Sequence, residues 1–259
     1  MLSPLRRLFR RFRGAQEDSP DNFLYNQRLW DTYAARWEWG RVKAESGTFP
    51  KGSPEGSEPR LLGDEWGDPA SIEEIVANYI LPFVTPQSLV AEIGVGGARI
   101  ATRVAPHVRN LLCFDISTEM LTKARAALAD RPNVEFVLLS EPGLPRAFGA
   151  RFDFVYAFDV FVHLDLHSLW KYFQEIQRIL KPGGKAFLHT TNLKAPAGWR
   201  RFAAQERHSV EGHYFISPEI VGILVSHAGL QIIKQGEERS SNFYLERDGL
   251  FIVQSAGQR

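Results

Sequence analysis

From residue 71 onward the chain alternates short apolar runs with amphipathic stretches of helical period, and this alternation restricts the fold more than any other feature. The runs at 89–95, 110–115, 134–139, 152–157 and 185–191 are too short for typical helices, and the segments between most of them carry apolar side chains three and four apart. Strand, helix and strand in succession close a parallel pair through a right-handed crossover. Two more runs, 230–234 and 250–253, bring the count to seven. The expected class is therefore α/β, a doubly wound, mostly parallel seven-stranded sheet, with its ligand crevice at the carboxyl ends of the strands.

Punctuation residues place the helices. Ser71 and Glu74 have the spacing of a capping box, and Pro82 closes the helix that follows. A second helix is expected over 98–107. A third opens at Ser117, and a fourth runs from Asp165 to the stop Lys181-Pro182-Gly183-Gly184. Ser217-Pro218-Glu219 starts another that ends at Gly229. The polar stretch 236–247 reads as a connection between the last two strands.

Before the sheet lie two further segments. Residues 21–70 form a helical and loop cap: Phe23, Trp30, Tyr33, Ala34 and Trp37 recur at helical spacing between an Asp21 cap and a Gly40 stop. Residues 46–68 have no period and read as a loop or lid whose Trp66 docks on something. Residues 1–20 form a basic arm, in which Arg6, Arg7, Arg10, Arg11 and Arg13 interleave with Leu2, Leu5, Leu8, Phe9 and Phe12. Residues 1–13 suit peripheral contact with an anionic membrane or a short organelle presequence; a solvated arm is the plainer reading. The third segment, 71–256, holds the sheet.

Charge and cysteine content exclude several roles. Lys plus Arg number 31 against 30 for Asp plus Glu, so nothing marks a nucleic-acid partner. Cys113 is the only cysteine and sits in a strand, which leaves no internal disulfide and points to a reducing, cytoplasmic setting. No run of 18 apolar residues is present.

Chemistry enters at VAEIGVGGAR, residues 90–99, where a strand runs into three glycines. Glycines there let backbone approach a ligand closely. The third glycine of a dinucleotide fingerprint is replaced by Arg99, which weakens the case for a pyrophosphate cofactor. Glu92 precedes the turn, and Asp115 closes the second strand where a carboxylate can accept from two vicinal hydroxyls.

With AEIGVGG, FDISTEML, FDVFVHL and LKPGGKAFLHTTN in this order, residues 71–253 resemble the Rossmann-like (class I) S-adenosyl-L-methionine (SAM)-dependent methyltransferases. The resemblance implies a SAM cofactor, leaving S-adenosyl-L-homocysteine (SAH) as product. It places Gly94, Gly96 and Gly97 against the methionine and ribose portions, Glu92 near the loop and ammonium, Asp115 on the ribose and Ile116 on the adenine. Ser140 or Glu141 stands where the family often has an adenine-binding Asp. Asp159 and His163, after the fourth strand, border cofactor and acceptor, with His163 the candidate base for a hydroxyl acceptor. The stretch DVFVHLDLHSLWKYFQEIQRILKPGGKAFLHTTN with the Trp-Arg-Arg-Phe run after it faintly resembles methyltransferases of saccharide and natural-product assembly, which implies an O-methyltransferase acting on a saccharide or small metabolite.

Tyr33, Trp37, His189, Trp199, Arg200 and Tyr214 are the candidate acceptor contacts, with Tyr25, Trp30, Trp66, Arg201, Phe202 and His213 as further cover. Asp159, His163, Asp165 and His167 cluster without a metal-ligand signature, and Asp165 is better explained as a helix cap, so no metal is expected. N- or C-methyl transfer, a dehydrogenase and a nonenzymatic SAM-binding module remain as alternatives.

Overall fold

The computed structural model describes residues 22–37, 61–205 and 213–255. The arm, the Asp21 cap, the Gly40 stop and residues 46–60 lie outside the described residues. Seven strands form one sheet: β1 Leu89–Ile93, β2 Asn110–Asp115, β3 Val134–Leu138, β4 Phe152–Ala157, β5 Leu180–Thr191, β6 Leu230–Gln235 and β7 Asp248–Ser255. Their order is β3-β2-β1-β4-β5-β7-β6, with β1 to β5 parallel and β7 antiparallel to both neighbours. The chain moves outward from β1 through β2 and β3, then returns to the other side of β1 with β4. That reversal opens a crevice above β1 and β4.

The helices are α1 Asn22–Arg36, α2 Pro69–Ile75, α3 Ala101–Val104, α4 Thr118–Ala127, α5 Leu166–Ile179, α6 Pro196–Ala204 and α7 Pro218–His227. Ile72 and Ile75 of α2, Val104 of α3 and Leu121 of α4 pack on one face of the sheet. Leu169, Phe173 and Ile176 of α5 with Val221 and Val225 of α7 cover the other. Removing a side chain such as fully buried Phe173 would cost about 3–5 kcal/mol. Asp165 caps α5 as expected, accepting from the His167 and Ser168 amides at 2.9 and 3.1 Å. Among the described residues no helix is long and apolar enough to cross a membrane.

Several boundaries differ from the sequence expectation for identifiable reasons. The first helix of the sheet region starts at Pro69, with Asp68 rather than Ser71 as its cap; the Asp68 carboxylate accepts from the Ser71 amide at 2.7 Å. Ser71 Oγ instead accepts from the Phe243 amide at 3.0 Å, and Glu74 Oε2 from Asn242 Nδ2 at 2.8 Å. The pair read as a capping box thus anchors the 236–247 connection. That connection is no plain polar loop, since Asn242 and Tyr244 are fully buried. The helix expected over 98–107 shrinks to α3 and a single 3-10 turn, because Ala98 takes φ +69° and Pro106 follows soon after. The cover segment after β5 folds into α6, and β5 itself begins at Leu180, ahead of an irregular step in its pairing with β4.

Candidate active site

A cavity of about 360 Å³ opens over the carboxyl ends of β1, β2 and β4. One wall grows from the glycine turn. The Gly94 and Val95 amides donate to Phe114 O at 2.7 and 3.1 Å, extending the β1–β2 ladder past its end. The three glycines then do different things. A Cβ on Gly94, at φ +73°, would lie 2.3 Å from Val160 Cγ2, and one on Gly97 would lie 2.3 Å from Leu62 O. Gly96, at φ +52°, has nothing within 4 Å of its missing Cβ, so its bare backbone faces open space at the cavity wall.

Asp115 is fixed by that turn. Its Oδ2 accepts from the Gly96 amide and its Oδ1 from the Ser117 amide, both at 2.9 Å. Burial pushes its pKa up to about 6, while those amides hold it from rising further. A carboxylate offers about four lone-pair positions, so two remain for hydroxyl donors. Glu92 lies opposite Tyr156 across the β1–β4 pair and accepts from its hydroxyl at 2.8 Å. Burial, with the nearby Asp115 charge adding to it, drives the Glu92 carboxyl well above its ordinary range, although the tyrosine hydrogen bond opposes this. Ile116, Leu139 and Pro142 give the wall an apolar floor. Ser140 and Glu141, expected beside the adenine, are exposed and lie outside the lining, because the loop turns them toward solvent.

The opposite wall follows β4. Asp159 takes φ +56° and pairs with Arg99 Nη2. Arg99 Nη1 donates to Tyr244 Oη at 3.2 Å, and its guanidinium lies 5.8 Å from the Trp66 ring and 5.3 Å from that of Phe158. Burial opposes charge on Asp159, but Arg99, His189 and Arg247 outweigh it and hold the carboxyl well below the usual range. His163 ends a 3-10 turn and lines the cavity, its ring packed 5.1 Å from Trp30 and 4.9 Å from His213. Among the described residues no group of three or more His, Cys, Asp or Glu is arranged to hold a metal ion.

Most of the expected acceptor contacts fall elsewhere. Tyr33 and Trp37 donate to Glu65 Oε1, tying α1 to the 61–68 segment; the aromatic residues of that region in the lining are Phe23, Trp30 and Trp66. His189 is wholly buried behind Asp159, accepting from the Asp159 amide through Nδ1 at 3.0 Å. Tyr214 bridges rather than lines: its amide donates to Val162 O at 2.9 Å and its hydroxyl accepts from Asn22 Nδ2 at 3.1 Å. Trp199 and Arg200 face outward, Arg200 pairing with Glu246 at 3.0 Å. Sequence reasoning missed Arg99 and Tyr244 as parts of the site. Arg99 left a trace as the residue breaking the glycine fingerprint, whereas Tyr244 left none.

Residues 90–184 match a family model described as a methyltransferase domain. SAH-bound magnesium protoporphyrin IX methyltransferase from Synechocystis PCC 6803 is similar over 90% of this chain and 99% of its own, at 14% identity and a TM-score of 0.62. A structure of the Haloferax volcanii Trm112 methyltransferase activator with a putative methyltransferase gives 18% identity and a TM-score of 0.59, over 88% of this chain and 98% of the matched one. A SAM-dependent methyltransferase from Methanosarcina mazei gives 18% and 0.54, over 70% and 98%. At these identities the structures speak for the fold. No curated protein sequence matches this one. The sheet order with its antiparallel β7 is that of the Rossmann-like methyltransferase fold, and the matched domain lies within it. The likeness to a methyltransferase domain thus rests on residues 90–184, set within a fold shared with SAM-dependent methyltransferases.

Proposed function

We propose that this methyltransferase acts on a hydroxyl of a saccharide or other small metabolite, with His163 as general base. The observation that carries the reading is a single cavity lined both by the Gly96–Asp115 pair and by His163. The first pair suits an adenosyl group: bare backbone at Gly96, two spare acceptor positions on Asp115, and an apolar floor of Ile116, Leu139 and Pro142. When bound, SAM supplies an already activated sulfonium methyl, so the protein's own task is alignment, water exclusion and removal of one proton.

Two carboxyls on the walls are poor proton acceptors for different reasons. Asp159 is held as a carboxylate by Arg99, and its low pKa gives it little affinity for a proton. Glu92 is buried deep in the wall, and its carboxyl is already engaged as acceptor for Tyr156. Histidine has the intrinsic proton affinity suited to neutral pH, and the Trp30 and His213 rings fix the His163 imidazole at the cavity wall. Asp159 in this scheme sets the position of Arg99 and the local field.

Calorimetric titration with SAH tests the cofactor half, with NAD in parallel. Micromolar SAH binding that is lost in Asp115→Ala supports it; NAD binding instead overturns it. A screen of hydroxyl and amine acceptors with SAM then tests the chemistry, and cofactor binding without turnover on any acceptor would favour a nonenzymatic module. The basic arm is proposed to bring the protein to anionic membranes. Deleting residues 1–13 should abolish binding to anionic vesicles, and unchanged binding removes that idea.

A further inference from the structure

Beside the cavity lies a charge cluster drawn from the turns after β1 and β4, from β5, from α6 and from the start of β7. Arg99 is paired with Asp159, and Arg247 with Asp248. His189 stands between the two carboxylates, its Nδ1 3.3 Å from Asp159 Oδ1 and its Nε2 3.2 Å from Asp248 Oδ2. The third guanidinium of the cluster, Arg201 of α6, belongs to neither pair. Its Nη1 is buried without a hydrogen-bond partner, although its neighbour Arg200 points outward to Glu246.

Arg201 feels Arg247, Asp248, Asp159 and Tyr244, and the surroundings leave it short of negative charge. Burial and then the Arg247 charge push its pKa down to about 10. The adjacent His213 is affected in the same sense: burial, Arg201, His163 and Arg247 push it down to about 3, so it is neutral near pH 7. A buried guanidinium with an unused donor is costly unless an anion completes it.

The position of this group relates it to the acceptor. His213, which senses the Arg201 charge, packs at 4.9 Å on His163 at the cavity wall. Outward from there runs a line of aromatic rings: His213 to Phe215 at 6.1 Å, Phe215 to Phe202 at 5.4 Å and Phe202 to Trp199 at 5.3 Å. Trp199 is 56% and Phe202 40% exposed, so the line ends in solvent. Such a track suits the flat apolar face of a ring, and Arg201, on the same helix as Trp199 and Phe202, suits an acid group on that ring.

We propose that Arg201 is the specificity-determining residue of the acceptor subsite, and that the methyl acceptor is an acidic metabolite whose carboxylate or phosphate completes the Arg201 guanidinium. This rests on the cofactor and His163 reading above. The group serves recognition and undergoes no covalent change.

The test uses the full chain saturated with SAH and three probes, phenylacetate, phenyl phosphate and the neutral phenylacetamide, followed by NMR titration. At least one acid should bind about tenfold more tightly than the amide. Arg201→Gln should erase that preference while leaving SAH affinity within about twofold, and Arg201→Lys should keep part of it, since a point charge replaces the planar fork. The stronger of the two acids identifies the group. Equal affinities for acids and amide, or a preference that survives in Arg201→Gln, overturns the proposal. Melting curves and SAH titration of each variant separate a folding defect from a lost contact, and Arg201→Lys supplies the answer if the glutamine variant does not fold. Failure of SAH to bind the unaltered protein would overturn the cofactor reading, and this proposal with it. SAH binding without acid discrimination would overturn this proposal alone.

Discussion

On the β1–β2 side of the cavity, Gly96, Asp115 and Ser117 come from the carboxyl ends of two adjacent parallel strands and are joined through backbone amides. On the β4–β5 side, Trp30, Trp66, Arg99, His163 and His213 come from segments scattered along the chain and meet through rings and ion pairs. The first wall is local and preorganised by the sheet; the second exists only when α1, the 61–68 segment and the stretch after α6 are all in place. A wall of the second kind can change its shape by changing one contributing segment, without disturbing the first.

Substitutions on the two walls should therefore separate chemistry from cofactor binding. The largest effect is expected for His163→Gln: kcat should fall by about 10²–10⁴ while SAH affinity stays within about threefold. Comparable loss of SAH affinity in that variant would mean that the two walls are one unit. Next, Asp115→Ala should weaken SAH binding by about 10² or more in calorimetry, as two hydroxyl contacts to a charged acceptor vanish.

A smaller effect is expected from pH. Asp115 has a pKa raised to about 6 in the free protein, so it takes up a proton as pH falls through that value. SAH affinity should accordingly drop about tenfold between about pH 7.5 and about pH 5, because hydroxyl donors meet a neutral carboxyl. Asp115→Asn should flatten that profile, and an unchanged slope would assign the proton to another group. The smallest effect is expected for Asp31→Ala on α1. It removes contacts to Ser117 Oγ at 2.7 Å and to the Glu119 amide at 3.3 Å. About 1 kcal/mol of lost capping should lower the melting temperature by about 2–4 °C.

What could be read from the sequence follows the same division. The strands and most helices were legible because apolar periodicity and caps such as Asp165 and Ser117 are local signals. Glycine after strand and carboxylate at strand end made the pairing of Gly96 with Asp115 legible for the same reason. Ser71 misled, because its spacing to Glu74 fits a cap while both residues hold Asn242 and Phe243, far along the chain. Tyr33 and Trp37 were recognisable as aromatic residues of a helix, but which ring turns to the cavity depends on where Glu65 arrives. His189 looked available at the end of a strand, and only β7, supplying Asp248 on its far side, encloses it.

One chain of contacts crosses between the walls. Asp31 of α1 holds Ser117 Oγ, and the Ser117 amide holds Asp115. The seat of the first helix and the hold on Asp115 thus share a residue. A ligand that steadied Asp115 would steady α1, and by reciprocity a displacement of α1 would loosen that ligand by an equal free energy. On the proposed reading, the seat of α1 and the cofactor site are two handles on one equilibrium.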